Sequence, residues 1–327
     1  MIFIFTGHAF CDDSWEPVPG IKDSNLKEVC LDYENQGVIY ASGVKTLYRT
    51  GDGGVTWTAV FSSQADEGAI NFIGAQGQAV FVCTGNGLFA SNDSGMNWKR
   101  IFKGIGEKEN KVSHIAFSRD RKIYIATEAC LFTSNDNGIT WARDNVEGSG
   151  LNVKWVEFSD DAVFIAAEKG VYRNSGNGWK RTFVTRREGA EYDASAADEA
   201  LKAVKPVNSI TAVKDRIFIA ADSGIFTSID KGETWHGFID SGLASLHVKR
   251  IMSQDILYAV TDKGVFVFSD RDRMWQGLYK GMATKEANSI AADPEGNIWV
   301  ATKKGLYRFF SKPALQLNCN AGFGSGF

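Results

Sequence analysis

The stretch AVFVCTGNGLFASNDSGMNW, residues 79–98, recurs along the chain. Its copies are VIYASGVKTLYRTGDGGVTW (38–57), KIYIATEACLFTSNDNGITW (122–141), AVFIAAEKGVYRNSGNGW (162–179), RIFIAADSGIFTSIDKGETW (216–235) and ILYAVTDKGVFVFSDRDRMW (256–275). Each holds a β-branched and aromatic run, a tight turn, a GLF-type run, a second turn and a Trp. The closing residues Trp57, Trp98, Trp141, Trp179, Trp235 and Trp275 are 41, 43, 38, 56 and 40 residues apart. A seventh copy, NIWVATKKGLYRFF (297–310), has no closing Trp. An apolar-x-x-apolar run precedes every copy, from Leu26 to Val29 in the first to Ala287 to Ile290 in the last.

Four short strand-like runs per about 42 residues is the period of a propeller blade, and the 3.6-residue helical period is absent from these runs. Seven starts face only six closing Trp strands. The missing strand stands at the other end of the chain, where SWEPVP, with Trp15, aligns with TWTAVF and GWKRTF. The sequence therefore predicts an all-β, seven-bladed β-propeller of four-stranded antiparallel blades over residues 12–310. Its last blade is closed by the N-terminal strand, which leaves no open seam. Residues 1–11 read as a signal-peptide remnant or N-terminal extension, and 311–327 as a C-terminal tail.

Composition agrees. The 34 Gly against only 5 Pro, with nine Trp, are the turns and strand residues of a repeat rather than a disordered linker. A net charge of −3 argues against a nucleic-acid surface. No apolar run is long enough for a membrane span. The start, MIFIFTGHAFC, is apolar and lacks a basic region, like the tail end of a secretory signal, so we expect an exported protein: periplasmic, cell-surface or extracellular.

The turn before each Trp carries S/T-x-D-x-G-x-T-W. It is intact around Asp52, Asp136 and Asp230, has Asn97 for Thr around Asp93, and is degraded at Asn174 to Trp179 and Ser269 to Trp275. This pattern resembles the Asp-box (BNR) repeat family, which includes sialidases, xyloglucanase-type glycosidases, sortilin-type receptors and photosystem II assembly-factor-like propellers. The last blade, GNIWVATKKGLYRF, also looks like the repeats of two-component-regulator sensor propellers. The resemblance implies a structural role for Asp52, Asp93, Asp136 and Asp230, on the side away from the usual binding face.

Catalytic signatures are missing. None of the five Pro sits in the Arg-Ile-Pro-like segment of a sialidase, and the two-propeller cleft of a xyloglucanase type needs a second ring. His8, His114, His236 and His247 have no metal-type spacing, there is no CxxC, and no G-x-S-x-G stands in the chain. We expect no catalytic residue, metal or cofactor.

The remaining distinctive residues lie where a propeller gathers its inner-strand starts. The variable pairs inside the apolar-x-x-apolar runs enter the channel, and alternation sends one of each pair inward. Lys154, Trp155, Lys249, Arg250 and His114 are the candidates there. An aromatic beside cations suits an acidic peptide, a carboxylate or a sugar ring. The connection 185–206 is about 15 residues longer than its equivalents; it carries Arg186 and Arg187 and reads as a short helix over 193–205. Cys11 and Cys319 flank the ring closure and could pair after export. Cys30 and Cys83 are expected on inner strands. The expected function is a non-catalytic scaffold for a protein or peptide partner on the face carrying the 185–206 insertion, as an assembly factor or a subunit of an envelope or extracellular complex. The alternatives are a glycan-binding protein or glycoside hydrolase of the Asp-box type, and a small-ligand sensor module.

Overall fold

The computed structural model describes residues 14–310 except 147–149, 160–161, 185–205, 214, 239–242, 244–246, 254–255, 270–272 and 294. The candidates Arg186, Arg187, Cys11 and Cys319, and the helix expected over 193–205, lie outside the described residues. So do the segments 1–11 and 311–327.

Seven separate four-stranded antiparallel sheets form the chain. Blade 1 comprises Glu28–Leu31, Ile39–Ser42, Thr46–Thr50 and Thr58–Ser62, and the order inner to outer is sequential in blades 1 to 6. Blade 7 takes Ala287–Ala292, Ile298–Thr302 and Gly305–Phe309 from the C-terminal end, and its outer strand is Glu16–Val18. Glu16 stands opposite Arg308 and Val18 opposite Leu306. The ring is thus closed by both ends of the chain, as the SWEPVP alignment predicts. Among the described residues the helical pieces are single turns, Ala65–Glu67 and Glu107–Asn110, both in outer-to-inner connections. No helix among the described residues is long and apolar enough to cross a membrane.

The repeat builds seven cores, and each one joins two adjacent blades. Between blades 1 and 2, Tyr40, Leu47 and Phe61 pack on Ile70, Ile73, Val80, Val82 and Phe89, with Trp98 against them. The box Trp of the later blade occupies the same place in every wedge: Trp141, Trp179, Trp235, Trp275, Trp57 and, at the closure, Trp15. The indole also reaches back. Trp98 Nε1 donates to Val60 O at 2.7 Å and Trp141 Nε1 to Ile101 O at 2.9 Å, each on the outer strand of the preceding blade. A Trp at this point fills a wide wedge and uses its one polar atom to tie the outer rims together.

In five of the seven blades a glycine with positive φ stands where the second strand turns into the third: Gly87, Gly170, Gly224, Gly264 and Gly305. Gly170 has φ +128°, and a Cβ there would lie 1.9 Å from Phe183 O. Cys130 takes this place in blade 3 without a positive φ. It is buried, as is Cys83, which lies on the second strand Ala79–Thr84 and not on an inner strand as expected; Cys30 is on an inner strand.

The Asp-box turns are closed networks. Asp52 accepts from Thr50 Oγ1 at 2.6 Å, Val55 N at 3.0 Å, Thr56 N at 2.9 Å and Thr56 Oγ1 at 2.6 Å. Asp93, Asp136 and Asp230 repeat the pattern, with Asn97 Nδ2 replacing the Thr hydroxyl at 2.7 Å. Hydroxyl and backbone donors hold all four carboxyls below the usual carboxylate range, Asp93 and Asp136 at about 2.

Candidate functional site: the channel mouth

The connectivity fixes two unlike faces. Inner strands start, and second strands turn into third strands, on one face; the Asp-box turns lie on the other. The variable pairs sit at the first of these faces, which is the mouth of the central channel.

A β-bulge decides how each pair points. In blades 2 to 7 the register between inner and second strands slips at the first residue of the pair, for example between Val153 and Trp155 and between Val248 and Arg250. The bulged residue is left unpaired and aims its side chain at the next blade. Asn71 Nδ2 donates to Val112 O at 2.8 Å, Ser113 Oγ to Val153 O at 2.6 Å, Asn208 Nδ2 to Val248 O at 2.9 Å and Asn288 Nδ2 to Leu26 O at 2.7 Å. Lys249 Nζ does the same to Ala287 O at 2.9 Å, and Lys154 Nζ bonds Asn208 Oδ1 at 2.9 Å. Burial lowers the pKa of both lysines. They are stitches between blades, with their charge turned sideways along the rim.

The second residue of each pair meets its counterparts across the channel. Phe72, His114, Trp155 and Arg250 form one stack: His114 lies 3.8 Å from the Trp155 ring and 4.2 Å from Phe72, and the Arg250 guanidinium sits 4.8 Å above Trp155 and 5.5 Å from Phe72. Arg250 Nη1 also pairs with Glu28 Oε1 and bonds Ser289 Oγ at 2.6 Å. Ser209 Oγ accepts Ile251 N at 2.8 Å. These side chains plug the channel.

The plug is electrostatically settled. Burial raises the Glu28 pKa, opposed by Arg250 and Ser289. Burial and the Arg250 charge lower that of His114 well below its ordinary value, and its Nδ1 accepts Val156 N at 3.3 Å, so it is a neutral acceptor. The structure therefore brings Trp155, Arg250 and His114 together and adds Glu28 and Phe72, which sequence reasoning missed. The signal for the stitches was present: Asn71, Ser113, Asn208 and Asn288 repeat a short hydrogen-bonding residue at one position. Trp155 also packs against the core between blades 4 and 5, and it keeps some exposure at the mouth with Phe72 and Arg250.

Around the plug, the turns between second and third strands differ in charge. Glu128 and Asp222 stand on blades 3 and 5, the mixed pairs Glu168–Lys169 and Asp262–Lys263 on blades 4 and 6, and lysines alone, exposed Lys45, Lys303 and Lys304, on blades 7 and 1. Asp222 holds His247 Nδ1 at 2.6 Å and Asn208 Nδ2 at 2.8 Å, and Lys303 holds Glu286 at 2.7 Å. Among the described residues no group of three or more ligating side chains could hold a metal.

Comparison with known proteins agrees on architecture. The sequence family described as two component regulator propeller matches residues 281–304. No curated protein matches the sequence. Among solved structures, the extracellular domain of the putative one component system BT4673 from B. thetaiotaomicron is similar, with TM-score 0.72 and 14% identity over 90% of this chain and 40% of that one. YCF48 bound to D1 peptide has TM-score 0.65 and 16% identity over 92% and 96%. An ancestral GH74 enzyme has TM-score 0.67 and 16% identity over 92% and 46%. The chain spans about 40% of the length of the extracellular sensor domain it matches. At these identities the likeness is one of fold: a seven-bladed propeller, similar to sensor domains, to an enzyme and to a peptide-bound protein alike.

Proposed function

We propose that this chain is a non-catalytic scaffold that holds a protein or peptide partner on the face where its inner strands start, as an assembly factor or a subunit of an envelope or extracellular complex. One observation carries the proposal: the channel mouth is filled by paired and stacked side chains, so this face is a shallow platform rather than a substrate tunnel. Trp155 and Phe72 offer aromatic surface at its centre, and the lysine arc of blades 7 and 1 offers charge for an acidic segment. A protein of similar fold is known with a peptide bound, which supports the choice of partner class. The extracellular placement of similar sensor domains supports export. Arg186 and Arg187, on the 185–206 connection, belong to the same proposed surface, and the Asp-box relationship is part of the proposal.

Charge reversal tests it. Lys303→Glu with Lys304→Glu, and separately Arg186→Glu with Arg187→Glu, should reduce partner capture at unchanged thermal stability. Undiminished recovery of every partner in both variants counts against it. The sensor reading is favoured by one observation, the family match over 281–304. Its test is a shift of the melting temperature by a small solute with no protein partner present.

A further inference from the structure

Below the plug the channel changes character. In blade 4 the strand Val153–Ser159 pairs without a break from Trp155 onward, Trp155 opposite Ala166 and Glu157 opposite Phe164. Alternation puts Glu157 on the same side as Trp155, about 6.6 Å further along. Two residues on from the plug in the other blades stand Cys30, Gly74, Ala116, Thr211, Met252 and Ala291. Most are small, where the level above carries Glu28, Phe72, His114, Trp155 and Arg250 besides Ser209 and Ser289, so side chains fill less of the channel here. Cys30, Ala116, Glu157 and Met252 keep some solvent-accessible surface, while Gly74, Thr211 and Ala291 are buried.

Glu157 sits at this level without a counter-ion among the described residues. Its carboxylate accepts Phe158 N at 3.2 Å. The buried Trp155 indole N–H makes no hydrogen bond of good geometry, yet it biases the Glu157 carboxyl towards its charged form. Burial outweighs both and pushes that carboxyl up to about 7. The other titratable groups facing the channel are committed. Asp32, two residues on from Cys30, accepts Glu34 N at 3.0 Å, Asn35 Nδ2 at 2.8 Å and Gly77 N at 3.1 Å, and Asp293, two on from Ala291, accepts Asn297 N at 2.7 Å and Asn297 Nδ2 at 2.8 Å. On blades 1 and 6, Glu28 and Arg250 neutralise each other, and on blade 3 His114 is neutral. The Cys30 thiol is pushed up to about 12, and blade 5 presents only Ser209 and Thr211.

A half-buried carboxylate that accepts one backbone N–H and has no counter-ion among the described residues lacks one thing, a positive charge small enough to enter. We propose that the channel below the plug binds a small organic cation, a primary ammonium group paired with the Glu157 carboxylate. This site is separate from the partner face, so either can fail alone.

Titration calorimetry on the full chain with methylammonium, propylammonium and putrescine, against methanol and propanol, tests it. An amine should bind saturably and tighten about tenfold from pH 6 to pH 8, as Glu157 passes from mostly protonated to mostly ionised. At pH 7 about half a proton should be released per amine bound, read from buffers of different ionisation heat. Glu157→Gln should abolish binding and Glu157→Asp should weaken it, while partner capture by Glu157→Gln stays intact. Absence of saturable amine binding, equal binding of the alcohols, unchanged affinity in Glu157→Gln, or no pH dependence overturns the proposal.

Discussion

Replacing Arg250 by Ala attacks the plug at its most connected residue. The guanidinium lies on Trp155 and Phe72, bonds Ser289, and neutralises Glu28. The two charged side chains are only 14% and 7% exposed, so the pair counts as buried and solvent offers little compensation. Removing one member of such a pair costs about 3–5 kcal/mol, because the other charge is left alone. At an unfolding entropy of about 2.1 cal/mol/K per residue, that is a fall in Tm of about 5–8 °C. The loss should depend on pH with a definite sign. Burial already raises the Glu28 pKa in the presence of Arg250, and loss of Arg250 raises it further. A carboxyl with a raised folded-state pKa destabilises fully above that value, and the penalty shrinks as pH falls towards the ordinary 4.5. Urea unfolding followed by Trp fluorescence should therefore show the largest Arg250→Ala defect at pH 8 and the smallest near pH 5. Adding Glu28→Gln should restore more than half of it. A defect under about 1 kcal/mol, the worth of an exposed pair, would refute the reasoning. So would a loss independent of pH or the absence of recovery.

Four further outcomes are expected. Trp15→Ala should cost about 3–5 kcal/mol in chemical unfolding, since Trp15 fills the wedge between blades 6 and 7, and hydrogen exchange should accelerate first in Gly305–Phe309, its neighbouring strand. Gly170→Ala should lower stability by more than about 1 kcal/mol, because its φ and the Phe183 carbonyl both exclude a Cβ. Glu157→Gln should stabilise the chain by up to about 3 kcal/mol at pH 8 and hardly at pH 5, the sign expected for a carboxyl raised from 4.5 to about 7. The Asp-box carboxyls have lowered pKa values, so their contribution holds above pH 4 and fades only as pH falls towards about 2; carboxyl chemical shifts of Asp93 and Asp136 should titrate there.

The architecture was legible because it is written seven times. The Trp spacing, the Gly between second and third strands and the SWEPVP segment are local signals whose recurrence fixes blade number and closure. The site was half legible. Alternation alone says that one residue of each pair faces the channel, and Trp155, Arg250 and His114 do so. It does not reveal the bulge that turns Lys154 and Lys249 onto the next blade. Glu28 was passed over because it lies 222 residues from Arg250, and only ring closure makes them neighbours. Glu157 looks like one more strand carboxylate until the small residues at its level leave it facing the channel. Cys83 was placed on an inner strand because one β-branched run resembles another, and only pairing separates inner from second strands.

The partner face is the central claim, and site-specific photocrosslinking in the living producer cell tests it most directly. A photoreactive residue would replace Asn86, Lys169 or Lys304 on the channel-mouth face, or Val55, Met96 or Ile139 on the Asp-box face. Adducts with one and the same partner at the first three positions, and none at the second three, are expected. Adducts confined to Val55, Met96 and Ile139 would contradict the assignment.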